Sequence, residues 1–179
     1  MAVKISVYIA TSLDGFIARK NGDIDWLPEP DNSAAEDYGY KEFISSVDLL
    51  VMGRHTFEKV LTFGSWPYPA KKVIVLSSGH PRLPKELGDK VEVLNLSPRK
   101  LLKTLTDKGI RHLYLDGGRT IQLFLKEGLV DEITITTIPV LIGEGLSLFG
   151  PLQQDIQFQL LESKHFDNGF VQSKYRVVK

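Results

Sequence analysis

A short apolar strand runs into a glycine and then into a helix start at Val51-Met52-Gly53-Arg54-His55-Thr56-Phe57-Glu58. Such a junction, typical of α/β folds, gathers backbone N–H groups, the positive end of a helix dipole and a guanidinium, which together favour a phosphate group. A simpler interpretation is also open, in which Gly53 ends a strand, Thr56 caps a helix and Arg54 is a surface charge. The stretch therefore predicts an α/β fold and a candidate phosphate site.

A second junction of the same kind lies at His112-Leu113-Tyr114-Leu115-Asp116-Gly117-Gly118-Arg119-Thr120-Ile121. Adjacent glycines permit backbone conformations barred to other residues and a close approach of the chain to a pyrophosphate. A glycine pair alone more often marks a tight turn between a strand and a helix. Its position after the first junction is what favours a ligand site.

The remaining pattern alternates short strands with helices. The sequence predicts strands at about 3–11, 48–52, 72–77, 91–94, 111–115, 131–139, 156–165 and 170–178, and helices at about 34–46, 55–62, 98–108 and 119–127. This order predicts a mostly parallel sheet with an antiparallel C-terminal edge, with ligands at the carboxyl ends of its strands. A length of 179 residues suits a single domain spanning residues 1–179.

Composition excludes several classes of protein. The chain has no Cys, which excludes disulfides, thiolate zinc sites and a cysteine nucleophile. Because 22 basic residues balance 22 acidic ones, no global charge favours nucleic acid or a membrane surface. The apolar stretches are too short for a bilayer and the N-terminus lacks a signal-peptide pattern, so we expect a cytoplasmic protein without metal, nucleic-acid or membrane partners.

Met52-Gly53-Arg54-His55-Thr56 closely resembles the phosphate-binding stretch of dihydrofolate reductases, and the glycine pair follows it as in that superfamily. The resemblance implies a dihydrofolate-reductase-like fold with three α/β/α layers and NADPH as cofactor. It also implies a cis peptide between Gly117 and Gly118. The residues that it assigns to cofactor binding at the two junctions are Gly53, Arg54, His55, Thr56, Gly117, Gly118, Arg119 and Thr120.

Two further stretches extend the resemblance. Ser77 and Ser78 end a buried strand that, in this superfamily, faces the adenosine 2′-phosphate, so with Arg54 they would select NADPH over NADH. Ala10 leaves room for a planar ring and Ile17 would cover it, forming a nicotinamide slot. Residues 12–18, Ser-Leu-Asp-Gly-Phe-Ile-Ala, together with 139–145, Pro-Val-Leu-Ile-Gly-Glu-Gly, resemble the riboflavin-biosynthesis branch, the RibD C-terminal type of reductase.

The resemblance to that branch implies a reductase of a pyrimidine- or pteridine-like heterocycle, similar to 5-amino-6-(5-phosphoribosylamino)uracil reductase. Thr136 would line the substrate cleft, while Trp26 is a substrate contact or simply part of the core. The carboxylate that dihydrofolate reductases use matches Asp31 by one count and Asp37 by another, and each is equally explained as a solvated charge at a helix start. Dihydrofolate reductase and an NADP-binding protein without turnover are the alternatives.

The two C-terminal strands predict a homodimer. Phe158 to Leu161 and Tyr175 to Val178 are apolar and lie in the two strands predicted at the sheet edge. Such strands can pair across a twofold axis. The sequence therefore predicts a homodimer that binds a small heterocyclic molecule.

Overall fold

The structure is a computed structural model that describes residues 3–28 and 37–179. The strands in these ranges are β1 (Lys4–Ser12), β2 (Phe16–Ala18), β3 (Leu49–Gly53), β4 (Lys72–Leu76), β5 (Val91–Leu94), β6 (His112–Asp116), β7 (Glu132–Ile138), β8 (Leu146–Ser147), β9 (Phe158–His165) and β10 (Val171–Val177). The α-helices are α1 (Tyr40–Ser46), α2 (Arg54–Val60), α3 (Pro98–Asp107) and α4 (Gly118–Lys126). Short 3-10 helices span Leu61–Phe63 and Lys85–Lys90.

Eight of these strands form one sheet in the order β5-β4-β3-β6-β1-β7-β10-β9. The six strands from β5 to β7 run parallel, whereas β10 pairs antiparallel with both β7 and β9. The predicted α/β fold, with a mostly parallel sheet and an antiparallel C-terminal edge, is confirmed. Parallel neighbours need crossover connections, and the chain supplies helices for several of them.

Side chains of the central strands alternate between two apolar clusters, one on each face of the sheet. On β3, Leu49 and Val51 pack with α3 and α4, whereas Leu50 and Met52 pack with α2 and with partly buried residues of α1. Both faces of the sheet are therefore covered by helices, as the three-layer arrangement requires. None of the helices described is long and apolar enough to cross a membrane.

Two local predictions differ from the structure. The helix predicted at 34–46 begins only at Tyr40, because Tyr38 and Gly39 have φ angles of 56° and 83°, which an α-helix cannot include. Residues 34–36 lie outside the described ranges. The irregular stretches also hold a small second sheet, in which β2 pairs antiparallel with β8. Strands of two or three residues are too short to show a period-2 pattern.

Candidate functional site

The carboxyl ends of β3 and β6 lie side by side, and the helices that follow them interlock. A Cβ at Gly53 would lie 2.8 Å from Thr120 Oγ1, and a Cβ at Gly117 would overlap Thr56 Oγ1. Each glycine thus makes room for a threonine from the other junction, with Gly117 also at a φ of 88°. The structure therefore brings four residues of the two motifs together in two neighbouring contacts.

Ile17 completes this contact from the N-terminal segment. A Cβ at Gly118 would lie 2.6 Å from Ile17 Cδ1, so the β2 side chain rests on the backbone where α4 begins. The first N–H groups of a helix have no partner within it, and they attract anions. Because Gly118 has no side chain, the start of α4 can lie directly against Ile17.

The Gly117–Gly118 peptide is trans, so the expectation of a cis bond is wrong for this structure. The glycine pair solves the turn differently. Gly117 takes a φ of 88° and donates its N–H to Asp116 Oδ1 at 2.7 Å, while its carbonyl accepts the first hydrogen bond of α4, from Ile121. A positive φ turns the chain without the cost of about 3–4 kcal/mol that a non-proline cis bond carries.

Arg54 reaches from α2 to the loop after β4. Its Nη1 lies 3.3 Å from the place of a Cβ at Gly79, and Ser77 Oγ accepts the N–H of Gly79 at 3.1 Å. The Nε of Arg54 donates to Glu58 at 2.6 Å, which leaves the far end of the guanidinium toward Gly79. The structure therefore brings Arg54 and Ser77 to the same loop, at Gly79.

The other residues predicted at this edge are more exposed. His55 has a 79% exposed side chain with Nδ1 3.7 Å from Glu58. Ser78 and Arg119 lie on the surface, Ser78 after β4 and Arg119 in the first turn of α4. They flank the interlocked glycines without contributing to the contact between them.

A row of uncharged residues crosses the three strands beside this edge. Ala10 on β1 pairs with Thr136 on β7, which pairs with Gln172 on β10. The Gln172 amide donates to Thr136 Oγ1 and to the Tyr8 hydroxyl, both at 2.9 Å, which holds these side chains in place. Thr136 is buried and Ala10 half-buried. Ala10 and Thr136 are thus neighbours, whereas Gln172 was not identified from the sequence, because nothing in its local pattern distinguishes it.

Asp116 is the main residue that the sequence prediction missed. It ends β6 between Met52, its partner on β3, and the Gly117–Gly118 pair. The carboxyl is enclosed by protein atoms, although the residue keeps part of its surface accessible. This burial raises its pKa to about 6, while the hydrogen bond from the Gly117 N–H lowers the pKa in part. A signal was present in the sequence, since an acid directly before a glycine pair at a strand end is placed at the ligand edge.

Tyrosines surround this carboxyl. Burial, followed by the charge of Asp116, raises the pKa values of Tyr40, Tyr68 and Tyr114, so all three stay protonated. The Tyr114 hydroxyl donates to the Tyr8 carbonyl at 2.9 Å, and the Tyr8 ring packs against α1 through Phe43. A packed cluster of aromatic rings and hydroxyls therefore lies between the sheet and α1, beside one buried acid.

The two candidate acids of the sequence analysis have different positions. Asp31 lies outside the described residues. The Asp37 carboxylate accepts the N–H groups of Gly39 at 3.1 Å and Lys41 at 2.8 Å, and these hydrogen bonds lower its pKa. Asp37 thus binds the backbone at the start of α1, as the helix-start interpretation predicts.

Trp26 contributes an unpaired donor. Its indole Nε1 is buried and has no hydrogen-bond acceptor among the described residues. A buried N–H normally has a partner, and a ligand acceptor would satisfy it. The loop that carries Trp26 is held to α2 by an ion pair of 2.8 Å between Asp23 and Lys59.

The loop after β1 is fixed by its acid. Asp14 accepts a hydrogen bond from Ser12 Oγ at 2.6 Å and the N–H groups of Ile142 and Gly143 at 3.3 and 2.8 Å. The Ser12 bond is the main reason why its pKa is lowered. Asp14 therefore connects the two stretches on which the resemblance to the riboflavin branch rests.

The described residues at this edge of the sheet could hold an anionic group. Within residues 3–28 and 37–179, no three His, Asp or Glu side chains form a group able to hold a metal ion. The start of α4 and Arg54 instead provide two anion-binding groups, and the glycine contacts hold the two junctions together. Two concavities, of about 150 and 430 Å³, lie elsewhere, one against α4 and one at the end of the sheet beside Asp131 and Glu132.

Similar proteins agree with this fold. The family model of the RibD C-terminal domain matches residues 3–172. The uncharacterized protein YwjB of Bacillus subtilis is 36% identical over 170 residues, which cover 93% of this chain and 94% of the relative.

Solved structures give the same result. A putative riboflavin biosynthesis protein of Shewanella sp. PV-4 is 42% identical, with a TM-score of 0.90 and full coverage of both chains. The deaminase/5-amino-6-(5-phosphoribosylamino)uracil reductase of Thermotoga maritima has a TM-score of 0.74 at 16% identity, covering 99% of this chain and 57% of its own, and so shares the fold. The chain therefore belongs to the RibD C-terminal domain family, with a dihydrofolate-reductase-like fold.

Proposed function

We propose that the protein is an NADPH-dependent reductase of a pyrimidine- or pteridine-like heterocycle. The observation that carries this proposal is the interlocking of Gly53 with Thr120 and of Gly117 with Thr56, beside the recessed carboxyl of Asp116. This combination supports a dinucleotide at the strand ends and a reacting ring beside the tyrosine cluster. Membership of the RibD C-terminal family supports the same reaction class.

The chain's own residues would hold and orient the cofactor. NADPH, when bound, supplies the hydride. Arg54 and Ser77 would bind its 2′-phosphate, with His55 and Ser78 at the margin. The start of α4, with Arg119 and Thr120, would bind the pyrophosphate, while Ala10 and Ile17 would confine the nicotinamide. Thr136 and the unpaired Trp26 N–H would contact the heterocycle.

Asp116 is the residue that we propose to hold the proton. Its Oδ1 accepts the Gly117 N–H, which leaves Oδ2 available to hold a proton. With a pKa of about 6, the carboxyl is protonated in part of the molecules near neutral pH. A positioned acid contributes about 10²–10⁴-fold to a hydride transfer that needs a proton.

A substrate panel tests this proposal. NADPH oxidation at 340 nm is measured with dihydrofolate and with aminopyrimidines for the parent protein, Asp116→Asn and Asp37→Asn. We expect turnover of an aminopyrimidine that falls at least tenfold in Asp116→Asn and stays within twofold in Asp37→Asn, with unchanged NADPH affinity. Brisk turnover of dihydrofolate that collapses only in Asp37→Asn would favour dihydrofolate reductase, and NADPH binding without any turnover would favour the nucleotide-binding alternative.

We also propose that the protein is a homodimer, with β9 as its contact. β9 is an edge strand whose backbone is paired on one side, and its Leu160 is 54% exposed. Antiparallel pairing about a twofold axis at Ser163 would place Glu162 opposite Lys164 of the partner subunit, so the strand complements its own charges.

Light scattering after gel filtration tests the dimer. A mass near twice 20.1 kDa is expected for the parent. Leu160→Lys should shift the mass to the monomer, whereas Leu123→Lys, which changes an exposed leucine on α4, should not. Lysine on an edge strand can also prevent pairing with another chain. A monomeric parent would overturn the dimer and would indicate that Lys164 protects β9 in this way.

A further inference from the structure

Gln172 lies near the start of β10, in the row of residues that crosses the sheet beside the candidate site. Because β10 runs antiparallel to β7, its first residues lie at the edge of the sheet where β1 and β7 end. Ala10, Thr136 and Gln172 are register partners on three neighbouring strands, so their side chains lie on the same face. A ring held over Thr136 would therefore have Ala10 on one side and the Gln172 amide on the other.

The nitrogen of the Gln172 amide is the end that the protein binds. It lies 2.9 Å from the Tyr8 hydroxyl, 3.0 Å from the Tyr38 carbonyl and 2.9 Å from Thr136 Oγ1. A carbonyl can only accept a hydrogen bond, and the Tyr8 hydroxyl donates its own proton to the same Tyr38 carbonyl, so both oxygens need a donor from Gln172. These partners therefore fix the orientation of the amide, with its nitrogen toward them.

The oxygen of the same amide is left open. No hydrogen bond from residues 3–28 or 37–179 reaches Gln172 Oε1. In this part of the chain the buried side-chain N or O atom without a partner is Trp26 Nε1, so Gln172 Oε1 is accessible at the surface. Lys164, which pairs with Gln172 from β9, has its Nζ 2.9 Å from Glu162. The amide therefore presents a fixed acceptor next to Thr136.

A fixed carbonyl oxygen selects for a hydrogen-bond donor. It accepts an N–H or amino group of a ligand, whereas a ring nitrogen that carries a lone pair, or a methylated nitrogen, cannot donate to it. The side chain is already held by Tyr8, Tyr38 and Thr136, so binding a ligand requires little further ordering of Gln172. The acceptor is uncharged and therefore distinguishes ligands by the pattern of their donors.

We propose that Gln172 is a specificity-determining residue whose Oε1 accepts a hydrogen bond from an N–H or amino group of the bound heterocycle. This inference rests on the proposed reductase function and narrows its substrate class to rings with such a donor on the edge that faces β10. Rings that lack this donor, or carry a methyl group in its place, are discriminated against.

Three matched uracils test this inference. The probes are 6-aminouracil, uracil, which lacks the amino group, and 6-amino-1,3-dimethyluracil, which lacks the ring N–H groups. Their affinities are measured by calorimetry, with NADP⁺ present and absent. We expect the parent to bind 6-aminouracil about three- to tenfold more tightly than the analogue that lacks the recognised donor, which is the factor that one neutral hydrogen bond contributes. The identity of that analogue shows whether the donor is the amino group or a ring N–H.

The preference for the donor should disappear in Gln172→Met, which keeps a side chain of similar length without an acceptor. A preference that came only from the bulk of the methyl groups would persist in this variant. Asn168→Ala is the matched control, because Asn168 Nδ2 donates to the Tyr38 hydroxyl at 2.8 Å and its loss weakens the support of Tyr38 without touching Gln172 Oε1. We expect this control to keep the preference of the parent.

The ratio of affinities separates recognition from a structural role. If Gln172 only holds Tyr8 and Tyr38 in place, Gln172→Met weakens all three probes equally and keeps their ratio, which would overturn the inference. Equal binding of the three probes by the parent, or no binding of any of them, would overturn it without a variant. If the expected preference is found but no heterocycle is reduced by NADPH, the reductase proposal fails and recognition of the donor by Gln172 stands.

Discussion

At the scale of single residues, the proton on Asp116 has consequences for stability. Its pKa is raised from 3.8 to about 6, so between about pH 4 and pH 6 the folded protein holds this proton more tightly than the unfolded chain does. The free energy of unfolding therefore falls as the pH rises through this window and stays lower above it. Ionisation of this carboxyl therefore lowers the free energy of unfolding, and a residue with a purely structural role would not need to be ionisable.

We predict that Asp116→Asn is more stable than the parent at pH 7.5, by about 1–2 kcal/mol, and gains little at pH 4. The estimate is below the full pKa shift because part of the residue stays accessible to water. Urea unfolding of both proteins across pH 4–8 measures the difference. A difference that is constant over this range would show that Asp116 does not titrate with a raised pKa.

Residue identities were predicted unevenly from the sequence. Gly53, Gly117 and Thr56 stand in recognisable junctions, so their proximity was expected. Asp116 was overlooked because its burial depends on tyrosines from β1, β6 and α1 that are far apart in the chain. Counting along the sequence could not decide the role of Asp37 at the start of α1, because a catalytic acid and a helix-start charge both need a carboxylate at that position.

At the scale of elements, the two strand-to-helix junctions depend on one another. Gly117 has a φ of 88° and lies against Thr56, whereas Gly109, which follows α3, has a φ of 78° and open space around its Cα. Alanine substitutions at these two glycines therefore distinguish the loss of stability from backbone strain and the loss from steric overlap.

We predict that Gly109→Ala loses about 1–2 kcal/mol of stability through backbone strain alone. Gly117→Ala should lose a further 1–3 kcal/mol, roughly, because its methyl group overlaps Thr56, and should also weaken NADPH binding. Chemical unfolding and nucleotide titration of the two variants provide the comparison. Equal losses of stability would mean that the junctions do not interlock as described.

Elements were predicted best where they are long and regular. The eight strands of the main sheet were expected close to their observed bounds, and β7 and β10 differ from the prediction by one residue at each end. The start of α1 was placed too early, because a positive φ at Tyr38 is rare for a non-glycine residue and leaves no pattern in the sequence. β2 and β8 depend on a contact between distant loops.

At the scale of the whole molecule, the end of the sheet opposite the site is held by an ionic cluster. Glu132, at the start of β7, has an 11% exposed side chain with Lys4 at 2.9 Å, Lys174 at 3.6 Å and Arg176 at 3.8 Å. Burial alone would raise the pKa of Glu132, but the hydrogen bond from Lys4 and the three positive charges outweigh it and lower the pKa. The cluster joins β1, β7 and β10, where the parallel sheet meets its antiparallel edge.

We predict that Glu132→Gln lowers the free energy of unfolding at pH 7 by about 1–3 kcal/mol, because three cations lose their common partner. Glu162→Gln, which removes an exposed partner of Lys164, should cost less than about 1 kcal/mol. Since the pKa of Glu132 is lowered, its contribution is present above the ordinary pKa of 4.5 and is lost as the pH falls below it. A gap between parent and variant that persists at pH 3 would contradict this origin.

The overall architecture could be predicted from the sequence because it depends on patterns that recur along the chain. Alternating strands and helices imply a parallel sheet, and two long terminal strands imply the antiparallel edge, which β10 and β9 form. The burial of the Asp116 carboxyl could not be predicted in this way, since it depends on which side chains from separate elements lie against it.

We propose that NADPH binds at the interlocked junctions with Arg54 at its 2′-phosphate, and paired titrations with NADPH and NADH test this claim most directly. We predict that the parent binds NADPH more tightly than NADH, and that Arg54→Ala weakens NADPH by about 1.5–3 kcal/mol while changing NADH little. Arg99→Ala, which removes a remote ion pair with Glu127 at 3.2 Å, serves as the control and should change neither. No binding of NADPH to the parent, or an equal loss for both nucleotides in Arg54→Ala, would contradict the claim.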